Sequence, residues 1–393
     1  MKKLMIGFYL LMLWTAAGAK NENVTVIVSL DGCRWDYPQW YDMPFMDYLA
    51  SVGVESALIP SFPSKTFPNH YTLATGLYPD HHGIVANSFF DNETGERFKL
   101  SDPQTKNNPK YYGGEPIWLT AQKNDLRTAV FYWPGSDVKI QGHYPWYFLH
   151  YDAQPHLTPE DRVEGIVKML KKDESERPNL IMAYFEQPDH NGHRYGPQSK
   201  RTREAVMQTD SLMHTLYTRI RALPIGQRVN FIVVSDHGMT QMAQERLINL
   251  KTILKPEWYK AIEGNVPTNI YAHEGYTDSI CGRLKQVDHI RFWKKEQTPG
   301  YLHYGTNNRI GEIVVLPDMG WECDTFLGEW GSHGFDPEIN DMHAIFRAVG
   351  PDFEHVRLPH FRNVNIYPLL CHLLDIEPSS NDGALEEIMQ MLK

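Results

Sequence analysis

Four short stretches are apolar at nearly every position: Val24–Leu30 (VTVIVSL), 128–133, 179–185 and 230–235. Continuous rather than alternating apolar runs of this length, rich in β-branched residues, predict strands buried on both faces. Between the last two, residues 200–223 predict a long helix. Strands alternating with helices predict an α/β domain with a mainly parallel central sheet flanked by helices. Residues 251–320 break the pattern, being richer in charge, Tyr and Gly, with short strand-like pieces at 269–272 and 312–316. They predict a small α+β insertion capping one edge of the sheet.

The amino terminus adds a second theme. Lys2 and Lys3 precede an apolar stretch from Leu4 to Trp14, and Ala17-Gly18-Ala19 follows. Residues 1–19 therefore read as a secretory signal, leaving one domain over 20–393 in a secreted or periplasmic protein. The stretch is too short for a stable membrane span. Export admits disulfides, but Cys33, Cys281, Cys323 and Cys371 show no C-x-x-C spacing. Their pairing stays open, and four free thiols are equally admissible. The net charge of −10 argues against polymeric nucleic acid as a partner. A small charged substrate held by metals remains compatible, and no protein partner is predicted.

The candidate chemistry gathers where the predicted strands end. Asp31-Gly32 follows the first strand, Asp189-His190-Asn191-Gly192-His193 the third, and Asp236-His237-Gly238 the fourth. In open α/β sheets, ligands bind beyond the carboxyl ends of the strands. Carboxylates and imidazoles suit Zn²⁺. Asp189 and His193 face the same way if that segment is helical. Asp236 and His237 would diverge in a strand but can converge at a turn, which Gly238 permits. Ser332-His333-Gly334 lies far downstream. Singly each group is weak: Asp-Gly is usually a turn, and D-x-x-x-H is usually a solvated helix face. Together, at successive strand ends, they predict a site.

With Phe62-Pro63-Ser64-Lys65-Thr66-Phe67-Pro68-Asn69-His70-Tyr71, Thr75-Gly76-Leu77-Tyr78-Pro79, His82-Gly83-Ile84 and Phe131-Tyr132-Trp133-Pro134-Gly135-Ser136, these groups resemble the nucleotide pyrophosphatase/phosphodiesterase family of the alkaline phosphatase superfamily. The likeness spans about 24–374. It implies an alkaline-phosphatase-like fold and two Zn²⁺ ions, one held by Asp189, His193 and His333, the other by Asp31, Asp236, His237 and the Thr66 oxygen. It implies Thr66 as nucleophile, with zinc favouring its alkoxide and a phosphothreonine intermediate. Pro68 and the amphipathic run to Leu73 put Thr66 near a helix start, so a helix cap is the plainer role for it. Asn87 matches a donor to a phosphoryl oxygen.

The resemblance also implies a nucleotide pocket. Phe67 and Tyr151 would sandwich the base, with Leu100, Trp133, Asp137 and Tyr184 as neighbours and Lys65 near the distal phosphate. The expected activity is hydrolysis of nucleotide phosphodiester or pyrophosphate bonds to nucleoside 5′-monophosphates. Alternatives are a phosphomonoesterase or choline-type lipid-headgroup phosphodiesterase on the same core, or a non-catalytic zinc-dependent binder of phosphorylated ligands.

Overall fold

The computed structural model describes residues 22–323 and 328–393; the expected signal segment lies outside them. A nine-stranded sheet forms the centre. Its order runs Val356–Arg357, Val54–Ile59, Ala344–Val349, Val229–Val234, Val24–Leu30, Leu180–Phe185, Thr128–Phe131, Tyr147–Phe148, with Phe361–Arg362 also paired to Val54–Ile59. Val24–Leu30 lies between Leu180–Phe185 and Val229–Val234 and is parallel to both. Ala344–Val349 runs antiparallel to its two neighbours. The fold is thus α/β with a mostly parallel sheet, as the apolar runs predict. The two strands Val54–Ile59 and Ala344–Val349 were not among those expectations.

Strand periodicity sorts side chains between two cores. Ile27, Leu180, Met182, Ile232 and Val234 join the core on one face. Val26, Val28, Leu30, Ile181, Ala183, Phe185, Phe231 and Val233 join the core on the other. The helix Thr66–Thr75 packs on the first face through Phe67, Tyr71, Leu73 and Ala74. The helix Lys200–Arg221 covers the second through Val206, Met213, Leu216 and Ile220.

Four antiparallel strands, ordered Tyr259–Glu263, Thr268–Ala272, Ile313–Pro317 and Ile290–Lys294, form a separate sheet with its own core. The carbonyl of Val266, in the turn between its first two strands, lies against Gly334, beside His333. Cys33, Cys281 and Cys371 are free thiols.

Candidate active site

The same periodicity aims the chemistry. Ile27, Ser29 and Asp31 share the face covered by the Thr66–Thr75 helix, as do Leu180, Met182 and Tyr184, and Ile232, Val234 and Asp236. Asp31 follows its strand directly. Asp189 opens the short helix Asp189–Tyr195, which carries His193 one turn on. Gly32 has φ +63°, and a Cβ there would lie 2.8 Å from the Asp189 Cβ, so glycine lets these two segments close on each other. A Cβ on Gly238 would lie 2.0 Å from the Asp341 carbonyl oxygen. Close backbone approach, more than turn freedom, is what this position requires.

Two donor groups result: Asp189, His193 and His333, and Asp31, Asp236 and His237. In the first, His193 Nε2 stands 3.4 Å from Asp189 Oδ1 and 3.0 Å from His333 Nε2, with His333 Nε2 3.8 Å from Asp189 Oδ1. In the second, His237 Nε2 stands 3.0 Å from Asp236 Oδ2 and 3.5 Å from Asp31 Oδ1. These spacings bracket roughly 3.3 Å, the edge of a tetrahedron with metal–ligand bonds of about 2.0–2.1 Å.

Hydrogen bonding fixes the imidazoles for the same purpose. Nδ1 of His333, His193 and His237 donates to the carbonyls of Ser64, Gly331 and Gly238 at 2.7, 2.9 and 2.8 Å. In the neutral ring this leaves Nε2 as the inward atom, the tautomer a metal ligand needs. Asp31 Oδ1, Asp189 Oδ1 and Asp236 Oδ2 are buried and lack a hydrogen-bond partner among the described residues. Three buried carboxylate oxygens without hydrogen bonds, set beside imidazole nitrogens, fit a metal cation. Without a cation the charge divides unevenly among these groups. Burial, with the charges of Asp236 and Asp189, pushes Asp31 well up. Burial also acts to raise Asp236, but His237 and His70 outweigh it and hold it low. Burial, with His237, Lys65 and His193 nearby, holds His333 well down. For His193 burial opposes protonation, but Asp189 and Glu329 outweigh it and hold the ring at about 9.

Thr66 stands beside the second group, its Oγ1 3.1 Å from His237 Nε2. It is the first residue of its helix, and Lys65 occupies the N-cap. Thr66 is therefore not the helix cap, and its hydroxyl lies beside the donor group. Asn87 Oδ1 accepts the Phe67 N–H at 3.0 Å, which turns its NH₂ the other way. A cavity of about 510 Å³ opens here, lined by Thr66, Phe67 and Asn87 and by Leu100, Trp133, Asp137, Tyr151 and Tyr184. Lys65 is not on that wall. Its Cε lies 2.6 Å from where a Gly334 Cβ would sit. Burial lowers its amine to about 8 against the pull of Glu329 and Asp189, on the side of the first donor group.

The structure adds residues at the site that the sequence does not single out. Lys106, only 4% exposed, pairs with both oxygens of Asp152 at 2.7 Å on the cavity wall. Nothing in the spacing of two residues so far apart signals this pair. His70 was read only as part of a motif. Its Nε2 meets Ser29 Oγ at 2.8 Å, and its Nδ1 meets the Thr66 carbonyl at 2.9 Å and Asp236 Oδ2 at 3.3 Å. The period from Ser29 to Asp31 was the available signal.

Known proteins share this architecture. The family model described as "Type I phosphodiesterase / nucleotide pyrophosphatase" matches residues 25–336. Human ectonucleotide pyrophosphatase/phosphodiesterase family member 5 is 34% identical over 380 residues, covering 95% of this chain and 78% of its own. Venom phosphodiesterase CdcPDE of Crotalus durissus collilineatus is 34% identical over 392 residues, 95% of this chain and 47% of its own. The chain thus spans about half the length of the venom enzymes it matches. Among solved structures, an inactive murine ectonucleotide pyrophosphatase/phosphodiesterase 5 in complex with AMP superposes with a TM-score of 0.88 at 34% identity, covering 94% of this chain and 100% of that one. The chain belongs to the type I phosphodiesterase / nucleotide pyrophosphatase family.

Proposed function

We propose that the chain hydrolyses nucleotide phosphodiester or pyrophosphate bonds to nucleoside 5′-monophosphates, with Thr66 as nucleophile. Two zinc ions would be held by Asp189, His193 and His333, and by Asp31, Asp236, His237 and the Thr66 oxygen. The observation carrying this reading is Thr66 Oγ1 on the cavity wall, 3.1 Å from His237 Nε2 of the second donor group, whose ring stacks at 3.5 Å on His333 of the first. The AMP bound to the murine relative supports a nucleotide substrate, and the names of the venom relatives support phosphodiester hydrolysis. Bound there, zinc supplies Lewis-acid charge that favours anionic oxygen at neutral pH.

The chain's own residues do the rest. Thr66 Oγ attacks phosphorus in line, forming the Oγ–P bond as the bond to the leaving oxygen breaks. Water then attacks the phosphothreonine, the Oγ–P bond breaks, and the hydroxyl is restored. The start of the Thr66–Thr75 helix favours the negative charge gathered there. The Asn87 NH₂ donates to a non-bridging phosphoryl oxygen. Phe67 and Tyr151 hold the base, with Leu100, Trp133, Asp137 and Tyr184 as wall, and Lys65 serves the side away from the base. Residues 20–393 act as one catalytic domain, with 251–320 as an insertion over the site. The charged and apolar start of the sequence, together with the "ecto" relatives, supports export. Among the described residues no helix is long and apolar enough to cross a membrane.

A substrate panel tests this reading. A nucleoside 5′-p-nitrophenyl phosphodiester should turn over far faster than p-nitrophenyl phosphate or p-nitrophenylphosphorylcholine. Preference for either of the latter would overturn the nucleotide assignment.

A further inference from the structure

Tyr184 does more than line the cavity. It lies in the strand Leu180–Phe185, in register with Ser29 of Val24–Leu30, on the face that Asp31 continues. Its hydroxyl donates to Asp31 Oδ2 at 2.5 Å. That bond occupies one carboxylate oxygen and leaves the other, Oδ1, buried and partnerless beside His237 Nε2 at 3.5 Å. The ring meets His70 edge-on at 5.1 Å and Tyr151 at 6.4 Å. One side chain therefore touches a candidate metal carboxylate, a histidine that meets both Asp236 and the Thr66 carbonyl, and Tyr151 of the cavity wall.

We infer that Tyr184 is a positioning residue for the Asp31–Asp236–His237 metal site, its hydroxyl fixing which oxygen of Asp31 faces the ion. A free carboxylate rotates about its Cβ–Cγ bond and presents either oxygen; a phenol hydrogen bond to Oδ2 removes that choice. Hydrogen bonds behind a metal ligand typically govern about 10- to 100-fold in metal affinity. The ring wall and the hydroxyl are separable functions of Tyr184, because phenylalanine keeps the first and deletes the second.

This inference rests on the two-metal reading, and the experiment separates their failures. Full-length wild type, Tyr184→Phe and Tyr184→Leu are equilibrated in zinc buffers set by a competing chelator, and bound metal per chain is counted by elemental analysis. Near-ultraviolet circular dichroism of the metal-free proteins reports their packing. In Tyr184→Phe one equivalent should bind about 10- to 100-fold more weakly and the other as in wild type. Its KM for the nucleoside p-nitrophenyl diester should stay within about threefold while kcat falls. Tyr184→Leu should add a rise in KM. Wild-type binding of both equivalents by Tyr184→Phe would overturn the inference alone. So would equal weakening of both, which marks general loosening. A wild-type chain that holds fewer than two equivalents would overturn the metal reading beneath it.

Discussion

Asn87 is placed to do two things with two ends of one amide. Its oxygen accepts the Phe67 N–H at 3.0 Å, satisfying a first-turn donor of the helix that begins with Thr66. In the proposed mechanism its NH₂ donates to the phosphoryl group. Asn87→Ala deletes both. Loss of one preorganised donor to a charged transition state costs about 2.7–4 kcal/mol, or about 10²–10³ in kcat. Loss of the helix-end bond costs about 1 kcal/mol, which for a chain of this length lowers Tm by about 1–2 °C. Asn87→Asp separates the terms, because a carboxylate still accepts from Phe67 but cannot donate. Its Tm should match wild type, while kcat falls at least as far as in Asn87→Ala, since it adds negative charge beside the phosphate. The assay is kcat and KM on the nucleoside p-nitrophenyl diester alongside a thermal melt. An Asn87→Asp variant that retains wild-type kcat would refute the donor role. Equal losses of Tm in both variants would refute the helix-end role.

Tyr151→Ala should raise KM for the nucleotide diester by about 5- to 150-fold, the equivalent of one base-stacking contact of about 1–3 kcal/mol, and leave hydrolysis of a base-free diester nearly unchanged; equal losses on both substrates would contradict it. His333→Ala should cost the chain one zinc equivalent in elemental analysis, the one shared with Asp189 and His193, while the second remains bound. Acid should destabilise the fold through His82, whose ring is buried between Thr72 and the Pro68 carbonyl. Burial, with His81 and Arg309 adding, pushes its pKa down to about 3. The unfolded chain takes up that proton first, so the stabilisation is complete above about pH 6.5 and falls as pH drops toward 3, by about 1.4 kcal/mol per unit. Urea unfolding at pH 6.5 and 4.5 should show a smaller drop for His82→Gln than for wild type, and equal drops would contradict this assignment.

The legible parts of the site were those written locally. Asp31 and Asp236 stand at the ends of apolar runs and Asp189 four residues beyond Phe185, so a reader of strands finds them together. The i,i+4 pair Asp189 and His193 is legible for the same reason. What escaped depends on partners far along the chain. Ala344–Val349 (AIFRAV) contains Arg347, which breaks the apolar run yet is only 4% exposed. Its guanidinium reaches the carbonyls of Met46, Ser56 and Phe346, contacts invisible until the fold exists. Val54–Ile59 (VESALI) carries Glu55 and Ser56 and reads as mixed for the same reason. Tyr184 was legible as an aromatic near the site, but its hydroxyl bond to Asp31 required the register of two strands. Thr66 was read as near a helix start, but the residue type could not separate the cap from the first helical position, which Lys65 and Thr66 respectively take.

The central claim is that Thr66, not water, makes the first bond to phosphorus. The most direct test is the stereochemical course at phosphorus, using a chiral phosphorothioate nucleotide diester hydrolysed in isotopically labelled water. Two successive in-line displacements each invert the centre, so net retention is expected. Net inversion would mean that water attacks directly, and that the Thr66 hydroxyl has no covalent role in turnover.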